Sequence, residues 1–121
     1  MKQFGFPAAR RIRSPLDFTR IYDQRERAGD QYLLVFGARN DLGYTRIGLS
    51  VSRKHGNAVK RVRLKRLLRE AFRQSQHELP QGLDLILIPR QNSGEGLEEF
   101  QRSLRKAAEK LARRLDVGTA S

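Results

Sequence analysis

The sequence predicts a small α+β domain in which a central sheet is covered by helices, and three observations carry that prediction. Apolar residues recur at the helical period in three stretches, 18–22, 64–72 and 97–115. Three runs rich in strand formers, QYLLVF, TRIGLSVS and LDLILI, alternate with turn residues. The 121 residues include no cysteine, so packing must hold the fold, without disulfides or thiolate metal sites. This length fits one compact domain, residues 1–121, whose ends at 1–13 and 116–121 are expected to be flexible.

Ser14-Pro15-Leu16-Asp17 reads as a helix start, with Ser14 as N-cap, Pro15 at the first helical position and Asp17 placed as in a capping box. Phe18, Ile21 and Tyr22 then fall at i, i+3 and i+4, which gives a short helix with an aromatic stripe ending between residues 24 and 29. Residues 31–36 form a first strand, and the turn Asn40-Asp41-Leu42-Gly43 leads into a second at 45–52. There Ile47, Leu49 and Val51 alternate with Arg46, Gly48, Ser50 and Ser52, so the two strands are expected to pair as a hairpin with one buried and one polar face. The polar side of the second strand carries small side chains, which leaves room for a helix or an extended ligand.

Gly56-Asn57 caps a basic helix whose Leu64, Leu67, Leu68, Ala71 and Phe72 must face the core. Residues 83–88, entered through Pro80-Gln81-Gly82 and stopped by Pro89, read as a mostly buried central strand. After a glycine-containing loop, Leu97, Phe100, Leu104, Ala108, Leu111 and Leu115 form the stripe of a last helix. The expected order is therefore α-β-β-α-β-α.

Charge narrows the function. Lys and Arg number 25 against 13 Asp and Glu, a net charge of +12, and such self-repulsion is usually tolerated because a polyanion neutralises it. No terminal stretch pairs cations with a bulky apolar face as an interfacial helix would, and no apolar run is long enough to cross a membrane. A soluble, cytoplasmic, nucleic-acid-binding protein is the expectation, with no membrane partner and no obligate protein partner.

The cations are also concentrated. Arg53, Lys54, Lys60, Arg61, Arg63, Lys65, Arg66, Arg69 and Arg73 all fall within one stretch, with Glu70 as its only acid. At about 100° per residue, Lys65, Arg66, Arg69 and Arg73 cluster opposite the leucine face, flanked by Arg61 and Arg63. Guanidinium groups fork onto phosphate oxygens, and the free N–H groups after Asn57 add a second anion-binding feature. A solvated face would need interleaved acids, which this one lacks. Single-stranded RNA is gripped by aromatic rings beside a cationic track; Phe18, Tyr22 and Phe36 are candidates, with Ser50 and Ser52 as small polar neighbours. Aromatics at helical spacing equally serve a core, so both roles stand open at this point.

Protein catalysis finds little support. His55 and His77 lie on different elements, Asp84 is the lone acid of its strand, and Glu98-Glu99 suits a helix N-terminus. No metal-ligand spacing and no phosphate-binding glycine loop occurs.

Residues 47–73, IGLSVSRKHGNAVKRVRLKRLLREAFR, closely resemble the signature of the protein component of bacterial ribonuclease P, the ribonucleoprotein that removes the 5′ leader of precursor tRNA. Weaker likeness runs from about residue 10 to residue 115. The resemblance implies a non-catalytic subunit of an endoribonuclease, with an RNA subunit as catalyst and magnesium held mainly by that RNA. It implies that Arg61, Arg63, Lys65, Arg66 and Arg69 meet the catalytic RNA and the substrate near the cleavage site. It further implies that Phe18, Tyr22, Phe36 and Ser50 line a cleft for the single-stranded leader. The implied fold, shared with a domain of a small-subunit ribosomal protein, contains a left-handed βαβ crossover where general rules favour a right-handed one. A structural RNA-binding protein, such as a ribosomal protein, is the alternative. One departure from the family pattern stands out: its helix usually carries Arg-Asn-Arg, and here the middle residue is Val62, which can neither donate nor accept a hydrogen bond.

Overall fold

The computed structural model describes residues 8–91 and 96–117. The expectations for residues 1–7 and 118–121, and for the loop at 92–95, lie outside the described residues. Helix α1 spans Pro15–Asp23, β1 Arg27–Gly29, β2 Leu33–Arg39, β3 Arg46–Leu49, α2 Ala58–Ser75, β4 Leu83–Pro89 and α3 Leu97–Arg114. The order is thus α-β-β-β-α-β-α, with the α+β class as expected and β1 as an additional strand.

Ser14 caps α1, its Oγ accepting the Leu16 N–H at 3.2 Å. Asp17 turns to the arginines instead of closing a capping box, lying 3.5 Å from Arg20 and 3.9 Å from Arg46.

The four strands run in the order β1-β2-β4-β3, antiparallel except for the parallel pair β3·β4. The expected hairpin between the second and third strands therefore does not form, because β4 lies between them. A strand whose residues are apolar on both faces loses most by sitting at an edge, and β4 takes the central position with both neighbours paired. Regular pairing of β3 ends at Leu49 rather than Ser52, although the Ser50 N–H still donates to the Leu87 carbonyl at 3.0 Å.

Alternation splits the sheet cleanly. Leu33, Val35, Ile47, Leu83, Leu85 and Leu87 face one side, where Leu64, Leu68 and Phe72 of α2 and Phe100, Leu104 and Leu111 of α3 close the main core. Ala38 and Ile86 face the other side with Ile21 of α1 and Ile12, rimmed by Phe18, Tyr22, Phe36 and Ile88. This second layer is thinner, and Leu34, Phe36, Ile88 and Ser50 remain half-exposed on it.

Residues 8–13, expected to be flexible, instead seal an edge. Arg11 bridges Ile47 in parallel, the Ile12 N–H donates to the Ile47 carbonyl at 2.8 Å, and the Ile12 side chain is buried. An unpaired strand edge exposes a row of polar groups, and this short segment covers that of β3.

The thin layer also holds a charge cluster. Asp84, fully buried, accepts from Arg46 Nε and Nη2 at 2.8 and 2.6 Å, from Asn40 Nδ2 at 2.9 Å, and from Arg20. Burial alone would raise the Asp84 pKa, but the hydrogen bonds from Arg46, Asn40 and Arg20 outweigh it and hold the carboxyl below its ordinary range. Its bonds in turn raise the Arg46 pKa. Asp84 thus ties α1 and β3 to β4.

Candidate nucleic-acid interface

The approach to the basic helix is built by small side chains. Ser52 caps a single 3-10 turn at Arg53–His55, which leaves Arg53 and Lys54 exposed. His55 Nδ1 accepts the Ser52 N–H at 3.0 Å and Nε2 lies 2.7 Å from the Pro89 carbonyl, so the tautomer protonated at Nε2 satisfies both. His55 is therefore half-buried and fixes the turn to the end of β4. Gly56 follows at φ +126°, where a Cβ would come within 2.8 Å of Lys60 Cδ. Asn57 spends its side-chain oxygen on the cap, accepting the Lys60 N–H at 2.9 Å.

Along α2 the cations divide into groups that the linear sequence does not separate. Arg61, Lys65 and Arg69, at i, i+4 and i+8, form one half-buried row on the flank of the helix. The Arg61 Nε is out of water with no hydrogen-bond partner. Arg63 and Arg66 are exposed on the outer face beside Val59 and Val62. Arg73, expected to bind RNA with the others, is held by Glu70, which accepts its Nε at 2.8 Å and also its Nη2. The hydrogen bonds from Arg73 and Gln74 lower the Glu70 pKa to about 2, so this pair stays charged across the neutral range.

The flank row faces the N-terminal segment. Lys65 and Arg69 line a groove of about 190 Å³ with Arg11, Ile12, Arg13, Ile47, Gly48 and Leu49. Burial and repulsion from Arg11 and Arg13 make Arg69 less basic than an ordinary arginine. Like charges held this close favour an anion between them. Arg11 and Arg13 were missing from the sequence candidates because residues 1–13 read as a flexible end; the run Arg10-Arg11-Ile12-Arg13 was the available signal.

Gly48 belongs to both this groove and the aromatic layer. A Cβ at Gly48 would lie 2.7 Å from Phe18 Cζ and 3.2 Å from Ile12 Cβ, so the small residue admits the ring of α1 onto the sheet. Phe18 and Tyr22 have centroids 6.4 Å apart, and Tyr22 meets Phe36 edge-on at 4.9 Å and 77°. By register, Phe36, Ile86 and Gly48 form one row across this face. Leu34 and Ile88 form the next row, with Ser50 beside them through its bond to the Leu87 carbonyl. The structure thus brings Phe18, Tyr22, Phe36 and Ser50 to one face. Ser52, two residues further on, is the cap of the following turn, its side chain accepting the Lys54 N–H.

Among the described residues, no group of three or more His, Cys, Asp or Glu is placed to hold a metal ion. Among the same residues, no helix is long and apolar enough to cross a membrane.

Comparison with known proteins agrees with this geometry. The sequence model of the family described as Ribonuclease P matches residues 6–114. The ribonuclease P protein component of Erwinia tasmaniensis is 42% identical over 115 residues, covering 94% of this chain and 93% of that protein. That of Salmonella arizonae is 41% identical over 116 residues, with the same coverage of 94% and 93%. Among solved structures, the Staphylococcus aureus RNase P protein superposes with a TM-score of 0.70 at 33% identity, covering 86% of this chain and 95% of that one. The RNase P protein from Thermotoga maritima gives 0.67 at 34% identity, covering 86% and 96%. Sequence and fold agree over most of the chain, and it belongs to the family of ribonuclease P protein components.

Proposed function

We propose that the protein is the non-catalytic subunit of a ribonuclease P holoenzyme, holding the catalytic RNA along the flank and N-terminal end of α2 and the 5′ leader of precursor tRNA on the open aromatic face. The observation that supports this reading best is continuity. Gly48 lies beneath Phe18 on one side and lines the Arg11, Arg13, Lys65 and Arg69 groove on the other. One single strand can run from stacked bases to paired phosphates without leaving the surface.

In this reading Arg53, Lys54, Lys60, Arg61, Arg63, Lys65, Arg66 and Arg69 supply phosphate contacts, while Asn57 positions the backbone N–H groups at the start of the helix. Arg73 contributes as a Glu70-paired charge. Magnesium fits the RNA better than these side chains. Asp84 is committed to Arg46 and Arg20, Glu70 to Arg73, and Asp30 to Ser103 Oγ at 2.6 Å and to the Tyr32 and Leu33 N–H groups. The protein's part is to orient substrate and to offset phosphate repulsion, so that fewer magnesium ions are needed; the cytoplasm is its place of action.

Mixed with its cognate RNA at limiting magnesium, the protein should raise the rate of 5′-leader removal. Absence of stimulation would refute the assignment. Arg61→Ala or Lys65→Ala should weaken RNA binding whatever the sequence, and each should reduce the slope of log affinity against log salt by about one unit. An unchanged slope would mean that the side chain does not reach phosphate.

A further inference from the structure

The outer face of α2 carries an apolar strip that the phosphate-binding role does not use. Val59 is 69% exposed and Val62 49% exposed, and with Ala58 they border a shallow depression of about 470 Å³ whose remaining walls are Arg63 and Arg66. Single exposed apolar residues are ordinary. Here two β-branched residues sit one turn apart in the most cationic part of the chain, where they give up helix propensity and touch no core. No acid lies on the helix before Glu70, so the surroundings of the strip remain positive.

We propose that this strip is a docking surface for an unpaired nucleotide of RNA, its base or ribose packing on Val59 and Val62 while Arg63 and Arg66 take the flanking phosphates. Charge decides the occupant. A second copy of this chain would bring its own +12 against these arginines, whereas RNA carries apolar base faces and negative phosphates together. The depression has room for a base with its sugar, and guanidinium groups beside it can pair with phosphate or stack on the base plane. Valine at position 62 then does what an amide could not, since it gains by leaving water without requiring a hydrogen-bond partner.

This inference rests on the RNA-binding reading above, and the experiment separates the two. Val59→Ser with Val62→Ser is compared with the unmodified protein, using a short single-stranded RNA, a duplex of equal length and the catalytic RNA as probes. Burial of two valine side chains predicts a loss of about tenfold or more for the single strand and the catalytic RNA. The duplex should be little affected, and the salt slope should stay unchanged because no phosphate contact is removed. Val62→Leu should retain affinity. Both residues are exposed, so the melting temperature of the free protein should hold. Equal binding by variant and parent, or equal losses on single strand and duplex, would overturn the proposal. So would a concentration-dependent dimer that disappears in the variant. Failure of the unmodified protein to bind any of the three probes would instead strike at the RNA-binding reading itself.

Discussion

Replacing Asp84 with Ala should cost about 3–5 kcal/mol of folding stability, the loss expected when one member of a buried ion cluster is removed and its partners are left behind. Arg46 and Arg20 keep side-chain exposures of 20% and 37%, so part of their charge can still reach water and the lower half of that range is the expectation. Asp84→Asn should also destabilise, because an amide cannot balance two guanidinium groups. The pH dependence follows from the lowered pKa of Asp84. Its folded value lies below its unfolded value of about 3.9, so its contribution is present above that pH and is lost as pH falls through the folded value. Chemical denaturation between neutrality and pH 3 should therefore show acid destabilisation in the parent and a flatter profile in Asp84→Asn. Equal profiles would mean that Asp84 does not contribute through its charge.

Phe18→Ala should weaken binding of leader-bearing precursor by about 5- to 150-fold, corresponding to the ~1–3 kcal/mol carried by an aromatic ring stacked on a base. The ring also packs on Gly48 and Ile12, so the alanine variant loses stability as well, and two further variants separate the roles. Phe18→Leu fills most of the same volume but offers no ring; it should nearly restore the melting temperature while leaving leader affinity low. Gly48→Ala places a methyl group against the ring and should displace it, lowering leader affinity with the aromatic still present. If Phe18→Leu binds the leader as the parent does, the ring is a core residue and not a stacking platform.

These two residues also show how far the sequence could be read. Phe18 was legible as part of a stripe, and the small residues at Gly48 and Ser50 signalled that something bulky lies against the third strand, which proved to be α1. Helices α2 and α3 followed from apolar periodicity repeated over many residues, the Asn57 cap from its residue type, and the buried β4 from an apolar run bounded by Gly82 and Pro89. Strand β1 was not legible: Arg27-Ala28-Gly29 has no strand preference, and its pairing with Val35 and its neighbours is decided by tertiary contact. The second and third strands were read as a hairpin because sequential strands usually pair, whereas the doubly apolar β4 competes for the place between them. Ile12 offered one apolar residue among arginines, too short a signal for a sealed edge.

Within the site, charge density was visible and its partition was not. That Arg61, Lys65 and Arg69 share a flank follows from their i, i+4 spacing, but that this flank meets Arg11 and Arg13 requires the fold. Likewise the single acid of the helix was noted, yet its hold on Arg73 depends on side-chain geometry.

The most direct test of one continuous RNA surface is the affinity of the reconstituted holoenzyme for precursor tRNA as its leader is shortened from several nucleotides to none, at fixed magnesium and salt. Affinity should fall stepwise as the leader is withdrawn from the Phe18, Tyr22 and Phe36 face, and Phe18→Leu should flatten that dependence while leaving affinity for the leaderless tRNA unchanged. Equal affinity at every leader length in the parent holoenzyme would contradict the account.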